Sequence, residues 1–270
     1  MENVFELIRA RRSVRSFDGQ PLGSELTEKL RSFMDSAGNP YGIPVEFRLL
    51  DPGEHGLTSP VISGATMYFG AKASPGAHMK EAYGYSFEAV VLYAQSLGLG
   101  TTWIGGTMDR KAFERAMDLQ DGEIMPCVSP IGFPAAKMSL KESLMRKGVK
   151  ADKRLPFGEL FFDGSFGTPL TEERAGAFAE PLEAVRLAPS AVNKQPWRAV
   201  VSGNCVHFYE KHSRGYVSDA TGDLQRIDVG IALCHFTLAA QEKGLSPLLS
   251  VSDPGIPADG DTEYIATFTV

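Results

Sequence analysis

Cysteine is scarce in this chain. Cys127, Cys205 and Cys234 are the three it has, odd in number, far apart and never in a Cys-x-x-Cys pair. That argues against a disulfide framework and fits reduced thiols in a cytoplasm. Long apolar runs are missing too, none reaching the roughly 20 residues that cross a bilayer. The start, Met1-Glu2-Asn3-Val4-Phe5-Glu6, lacks the basic and apolar regions of a signal peptide, so a cytoplasmic location is expected. Positive charge is in deficit: 27 Lys and Arg stand against 33 Asp and Glu, for a net charge of −6. An acidic chain with a pI near 5.5 makes a poor general binder of nucleic acid or anionic membrane. The five histidines show no His-x-x-x-His spacing, so no metal centre is expected. There is no Gly-x-Ser-x-Gly elbow and no Walker loop, and Gly98-Leu99-Gly100 lacks the third glycine of a dinucleotide fingerprint.

What the chain does have is an echo of itself. Ser36-Ala37-Gly38-Asn39 has the spacing of Ser190-Ala191-Val192-Asn193, and each runs on into apolar residues at 45–50 and 198–201. Residues 84–99 align without gaps on 230–245. Two echoes in one order suggest one unit used twice. At 270 residues, 43% hydrophobic and 22% charged, the chain can fold as one large soluble domain or two modest ones. The expected halves are 1–134 and 157–270. Between them, 135–156 reads as a basic connector whose Lys137, Lys141, Arg146, Lys147, Lys150 and Lys153 mostly face solvent.

Apolar spacing predicts helices over 2–11, 26–33 and 81–97, with a partner to the last running through Ile227, Ile231, Cys234 and Leu238. Gly98 and Gly244 sit where a left-handed residue would end each long helix. Strands are expected at 45–50, near 127–131, from about Ala199, and at 264–270. His235 reads as a packed residue of an apolar helix, and Trp197 as a core aromatic at the start of a strand.

Three segments carry chemistry: Arg9-Ala10-Arg11-Arg12-Ser13-Val14-Arg15-Ser16-Phe17, Gly98-Leu99-Gly100-Thr101-Thr102-Trp103-Ile104-Gly105-Gly106, and Ala188-Pro189-Ser190-Ala191-Val192-Asn193-Lys194-Gln195-Pro196-Trp197. In that order they resemble the motifs of the nitroreductase superfamily of FMN-dependent flavoproteins, over most of the chain and most thinly at 50–80 and 200–225. The resemblance implies an α+β fold and a bound FMN. Arg11, Arg12 and Ser13 would take the phosphate, for which guanidinium is the matching donor. Arg15 would face the N1/O2 edge of the ring and stabilise negative charge there. Ile104, Gly105 and Gly106 would bring backbone N–H groups near N5, and Pro189, Ser190, Ala191 and Asn193 would wrap the dimethylbenzene and ribityl sides. Arg154, in a late basic motif, would reach the phosphate as well. Where the family often has Glu, this chain has Gly105.

Family members of this type are usually homodimers with FMN clamped between subunits. Here both sides of the clamp are expected from one chain, as in the fused, internally duplicated branch of the superfamily. The halves would then form an intrachain pseudo-dimer of two helix-flanked sheets. The second half has no counterpart of Arg11, Arg12 and Ser13, and the first copy has Asp35 in place of Pro189. One FMN per chain is therefore expected. The resulting expectation is an FMN-dependent oxidoreductase that moves hydride from NAD(P)H to an electron-poor acceptor such as a nitroaromatic or quinone. The flavin would carry the chemistry, so no dedicated acid–base side chain is required. The alternative from another class is an FMN carrier or sensor without turnover; a flavin-degrading or dehalogenating enzyme and a fold that has lost its cofactor are further readings.

Overall fold

Helices and strands are interspersed along the chain, and the fold is α+β. The computed structural model describes residues 1–218 and 222–270, so part of the 200–225 stretch, namely 219–221, lies outside the described residues. The amino-terminal part runs α1 (Val4–Ala10), α2 (Ser24–Ser36), β1 (Glu46–Leu50), α3 (Pro52–His55), β2 (Tyr68–Lys72), α4 (Met79–Ser96), β3 (Gly100–Thr101), α5 (Arg110–Ala116) and β4 (Val128–Gly132). Within the stretch expected to be a connector lies α6 (Leu140–Gly148). The remainder runs α7 (Phe157–Leu160), β5 (Phe161–Asp163), α8 (Glu172–Ala175), α9 (Ala179–Leu187), β6 (Trp197–Ser202), β7 (Cys205–Lys211), β8 (Val217–Ser218), β9 (Gly222–Asp223), α10 (Leu224–Glu242), β10 (Leu248–Ser250) and β11 (Thr262–Thr269).

One sheet has the strand order β1-β2-β4-β3, all antiparallel. A second has the order β10-β11-β7-β6-β5, antiparallel except for β5, which pairs parallel to β6, and β8 and β9 form a separate antiparallel pair. Read from β6, the second order follows the first strand for strand, with a long helix after the second strand in each. Those helices, α4 and α10, are buried on nearly every side. They cross at two glycines. A Cβ on Gly84 would sit 2.1 Å from Ile227 O, and a Cβ on Gly230 would sit 2.2 Å from Glu81 O. The shift that carries Gly84 onto Gly230 also carries Glu81 onto Ile227, so the contact has the reciprocal form of a two-fold interface.

Both long helices stop in the same way. Gly98 and Gly244 have φ of 76° and 77°. Leu99 N–H donates to Ala94 O and Leu245 N–H to Ala240 O, both at 3.0 Å. These paired bonds satisfy carbonyls that would otherwise be orphaned. The predicted helices and strands are all present, within a few residues of their expected ends. The connector differs from expectation in part: Glu142 is 3% exposed and the Arg146 side chain 15%. Burial of α6 on the rest of the molecule makes these charges part of its interior face.

α1 obtains its N-terminal cap from afar. Asn3 is left-handed and its side chain caps nothing. Instead Glu242, at the end of α10, accepts from Val4 N–H at 2.6 Å and Phe5 N–H at 2.9 Å. Val4 and Ile8 pack with Leu92, Ala184 and Ala239. The helix that delivers the first arginine motif is thus seated on α4, α9 and α10.

Candidate functional site

The arginine segment leaves α1 and runs beside β3. Val14 N–H donates to Thr101 O at 2.9 Å, and Ser13 pairs with Thr101 as an isolated bridge. A Cβ on Gly100 would lie 2.8 Å from Val14 Cβ, so this glycine admits the segment to the strand. The Arg11 side chain is 6% exposed. Burial lowers its guanidinium pKa, Glu88 opposes that, and Arg146 adds to it. Arg12 is exposed. Burial likewise lowers the pKa of Arg15, against the opposing charge of Glu142.

Glu88, wholly buried on α4, ties this region together. Its carboxylate accepts from Trp103 Nε1 at 2.9 Å, lies 2.9 Å from His235 Nε2 and approaches Arg11 Nε at 4.0 Å. His235 Nδ1 is 2.9 Å from Ala184 O, which can only accept. Nδ1 therefore donates to that carbonyl, and the other ring nitrogen faces Glu88.

The Pro-Ser-Asn segment is a strained turn pinned from several sides. Val192, Asn193 and Gln195 have φ of 43°, 61° and 52°, a left-handed region that costs a β-branched residue about 1–3 kcal/mol. Gln195 N–H donates to Ser190 Oγ at 2.9 Å. Ala191 N–H donates to both oxygens of buried Asp228, at 3.1 and 3.0 Å. Burial drives the Asp228 carboxyl well above its ordinary range, while the Ala191 bond opposes this. The Asn193 amide donates to Lys150 O and Lys153 O and accepts from Arg154 Nη1 at 3.3 Å. Its carboxamide thus braces the connector. Pro189 is half-buried at the head of the turn.

Arg154 also donates to Ala151 O and Leu187 O. Burial, then the charges of Arg11 and Arg186, push its pKa down to about 10. The amino-terminal cations and the carboxy-terminal turn therefore meet at Arg154.

Ile104 exchanges backbone hydrogen bonds with Val128, both at 2.9 Å, and leads into Gly105-Gly106. Space in front of Gly106 is open: an added Cβ would meet nothing within 4 Å. At Gly105 an added Cβ would lie 3.6 Å from Pro126 O and 4.0 Å from Leu224 Cδ2. Arg110 fixes this loop, donating to Gly105 O at 2.5 Å, Met125 O at 2.7 Å and Pro126 O at 3.2 Å. Leu224 and Asp228 are four residues apart on α10 and so share one face. That face touches the glycine loop at one point and the Pro-Ser-Asn turn at the other.

Four residues of this arrangement, Glu88, Arg110, Arg146 and Asp228, were not singled out from the sequence. Together the residues suit a phosphate-bearing ligand. Arg11 Nε and Arg154 Nε are buried with no hydrogen-bond partner. After burial, the charge of Arg146 lowers the pKa of Arg11, and the charges of Arg11, Arg186 and Arg146 lower that of Arg154, the electrostatic signature of a site short of negative charge. Asp152 pairs with Arg146, while the Nε donors of Arg11 and Arg154 keep no hydrogen-bond partner.

Among solved structures, a nitroreductase from Thermotoga maritima is similar at 21% identity, with a TM-score of 0.59, over 99% of this chain and 93% of that one. An FMN-dependent nitroreductase from Clostridium difficile matches 52% of this chain and 94% of its own, at 20% identity and a TM-score of 0.42. A structure described as an oxidoreductase containing FMN matches 62% of this chain and 93% of its own, at 19% identity and a TM-score of 0.45. No curated protein matches the chain. Among the described residues, no helix is long and apolar enough to cross a membrane. A sequence model of the family described as "Putative TM nitroreductase" matches residues 3–240, and the chain therefore belongs to this nitroreductase family.

Proposed function

We propose that the protein is an FMN-dependent oxidoreductase that holds one FMN per chain between its two halves. The observation that carries this reading is the approach of Arg11, from the first half, to Arg154, the connector residue that binds the Pro-Ser-Asn turn, each with a buried Nε that has no hydrogen-bond partner. Arg11, Arg154 and the Ser13 hydroxyl would hold the phosphate, with Arg12 and Arg146 adding positive potential around it. Arg15 would stabilise negative charge at the pyrimidine edge of the ring. Gly105 and Gly106 would present backbone N–H groups to the ring, their loop held by Arg110 and led in by Ile104, whose own N–H is spent on Val128 O. Pro189, Ser190 and Ala191 would cover the other side, with Asn193 bracing the turn. When bound, FMN would supply the two-electron chemistry, accepting hydride from NAD(P)H and passing electrons to an electron-poor acceptor such as a nitroaromatic or quinone.

The shared strand order, the paired caps and the reciprocal glycine contact support a duplicated chain whose halves, 1–134 and 157–270, act as the two subunits of a dimer. On this reading a single chain suffices for the site. The acidic composition and the absence of a membrane-crossing helix among the described residues fit a cytoplasmic enzyme of small molecules.

The test is a comparison of FMN with riboflavin, which lacks the phosphate. Arg11→Gln and Arg154→Gln should each weaken FMN binding about 10- to 100-fold, the worth of one or two charge-assisted bonds, and leave riboflavin binding nearly unchanged. Equal effects on both ligands would place the phosphate elsewhere. Anaerobic NADH or NADPH should bleach the flavin band within seconds; a stable spectrum would favour the carrier.

A further inference from the structure

On the second half, remote in sequence from the arginine motif, Glu210, His212 and Asp223 gather around one point. Each offers a ligand atom, and these atoms all lie within 4.8 Å of one another. Glu210 is completely buried at the end of β7, and neither of its carboxylate oxygens makes a hydrogen bond. Asp223 is 8% exposed and caps α10 through Gln225 N–H at 2.9 Å. The His212 side chain, 39% exposed, is the member open to solvent.

The histidine supplies a second observation. Its Nε2 lies 3.1 Å from Glu263 Oε2, which can only accept, so that nitrogen carries a proton. Nδ1 faces the cluster, 2.9 Å from Glu210 Oε1 and without hydrogen-bond geometry, so the buried Glu210 carboxylate is aimed into the site with no hydrogen-bond partner. A carboxylate holding the remote nitrogen of an imidazole is also the usual support of a metal-bound histidine.

The charge of the neighbourhood points the same way. Glu263 and Glu210 sit directly opposite each other across β11 and β7, a like-charge pairing that destabilises a sheet. Arg226 pairs with Glu81, Glu263 and, at 3.6 Å, Glu210. Among the described residues, three carboxylates (Glu81, Glu210 and Glu263) thus share the Arg226 guanidinium, and Asp223 stands beside Glu210 without an ion pair to that guanidinium.

We propose that Glu210, His212 and Asp223 bind a first-row divalent cation, with Glu263 orienting the imidazole. One nitrogen and two carboxylates suit Zn²⁺ or Mn²⁺, with Zn²⁺ the tighter. The ion would join the end of β7 to the first residue before α10, neutralise the facing carboxylates and leave water to complete its coordination. This site does not depend on the flavin reading.

Chelator-treated full-length protein, with its flavin content recorded, is titrated with ZnCl₂ by calorimetry and with MnCl₂ by electron paramagnetic resonance. One equivalent should bind per chain, and saturating Zn²⁺ should raise the melting temperature by about 5 °C. His212→Ala, at a half-exposed position, should weaken binding at least 100-fold, and Glu263→Gln about 10-fold. Glu210→Gln should abolish binding, with circular dichroism verifying its fold. No bound equivalent in the wild type would overturn the proposal. So would unchanged binding in His212→Ala, or a stability that follows pH alone and ignores added metal, which would make the shared cation a proton.

Discussion

Val192 holds a β-branched side chain at φ 43° with 56% of its surface exposed. Its position is therefore set by the backbone of the turn and by little packing of its own. Asparagine tolerates this conformation, so Val192→Asn should stabilise the protein by about 1 kcal/mol in urea unfolding. Unchanged stability would mean that the turn relaxes in solution. His207 makes a different prediction. It is 8% exposed, bonded through Nδ1 to Thr267 Oγ1 at 2.8 Å, and burial lowers its pKa. The unfolded chain then binds more protons than the native one below the ordinary histidine pKa of about 6.5. Stability contributed by neutral His207 is thus present above that pH and lost as pH falls below it. His207→Gln should flatten the stability profile between about pH 6.5 and 5. Arg11, Arg15 and Arg154 were legible as candidates from motifs, and the structure sets each of them near another arginine. Glu88 and Asp228 were not, because a lone carboxylate in an apolar helix has no local signature. The partner that gives Glu88 its meaning, His235, is 147 positions away.

Among elements, α4 and α10 set the geometry that everything else inherits. In an ordinary helix interior, Gly→Ala gains roughly 0.5–1 kcal/mol. At Gly84 and Gly230 the sign should reverse, since the new Cβ would meet a backbone carbonyl at little more than 2 Å. Gly84→Ala should cost about 3 kcal/mol in thermal or urea unfolding, and Gly230→Ala a similar amount, because the helices must part to accept either methyl. The helices themselves were legible from apolar spacing, and their ends from Gly98 and Gly244. Their crossing was not. A glycine in a helix marks weakness or close approach with equal economy, and only the opposing chain decides between them. The same limit explains α6: its basic residues read as solvated because nothing nearby in sequence reveals the face that buries Glu142 and Arg146.

At the scale of the whole molecule, α1 depends on a residue 238 positions further along the chain. Glu242 gives α1 two hydrogen bonds from a carboxylate at a helix N-terminus, where the macrodipole favours it. Glu242→Ala should cost about 1–2 kcal/mol in denaturant unfolding. By loosening α1 it should also weaken FMN retention, although residue 242 is nowhere near the arginines in sequence. An unaltered FMN affinity would show that packing of Val4 and Ile8 seats α1 without help. The order of synthesis follows from this arrangement. The carboxylate that steadies α1 is made 238 positions after the helix residue it holds. A nascent chain stalled before residue 242 would carry α1 without that cap, so on the proposed reading ordered capture of the phosphate waits for α10.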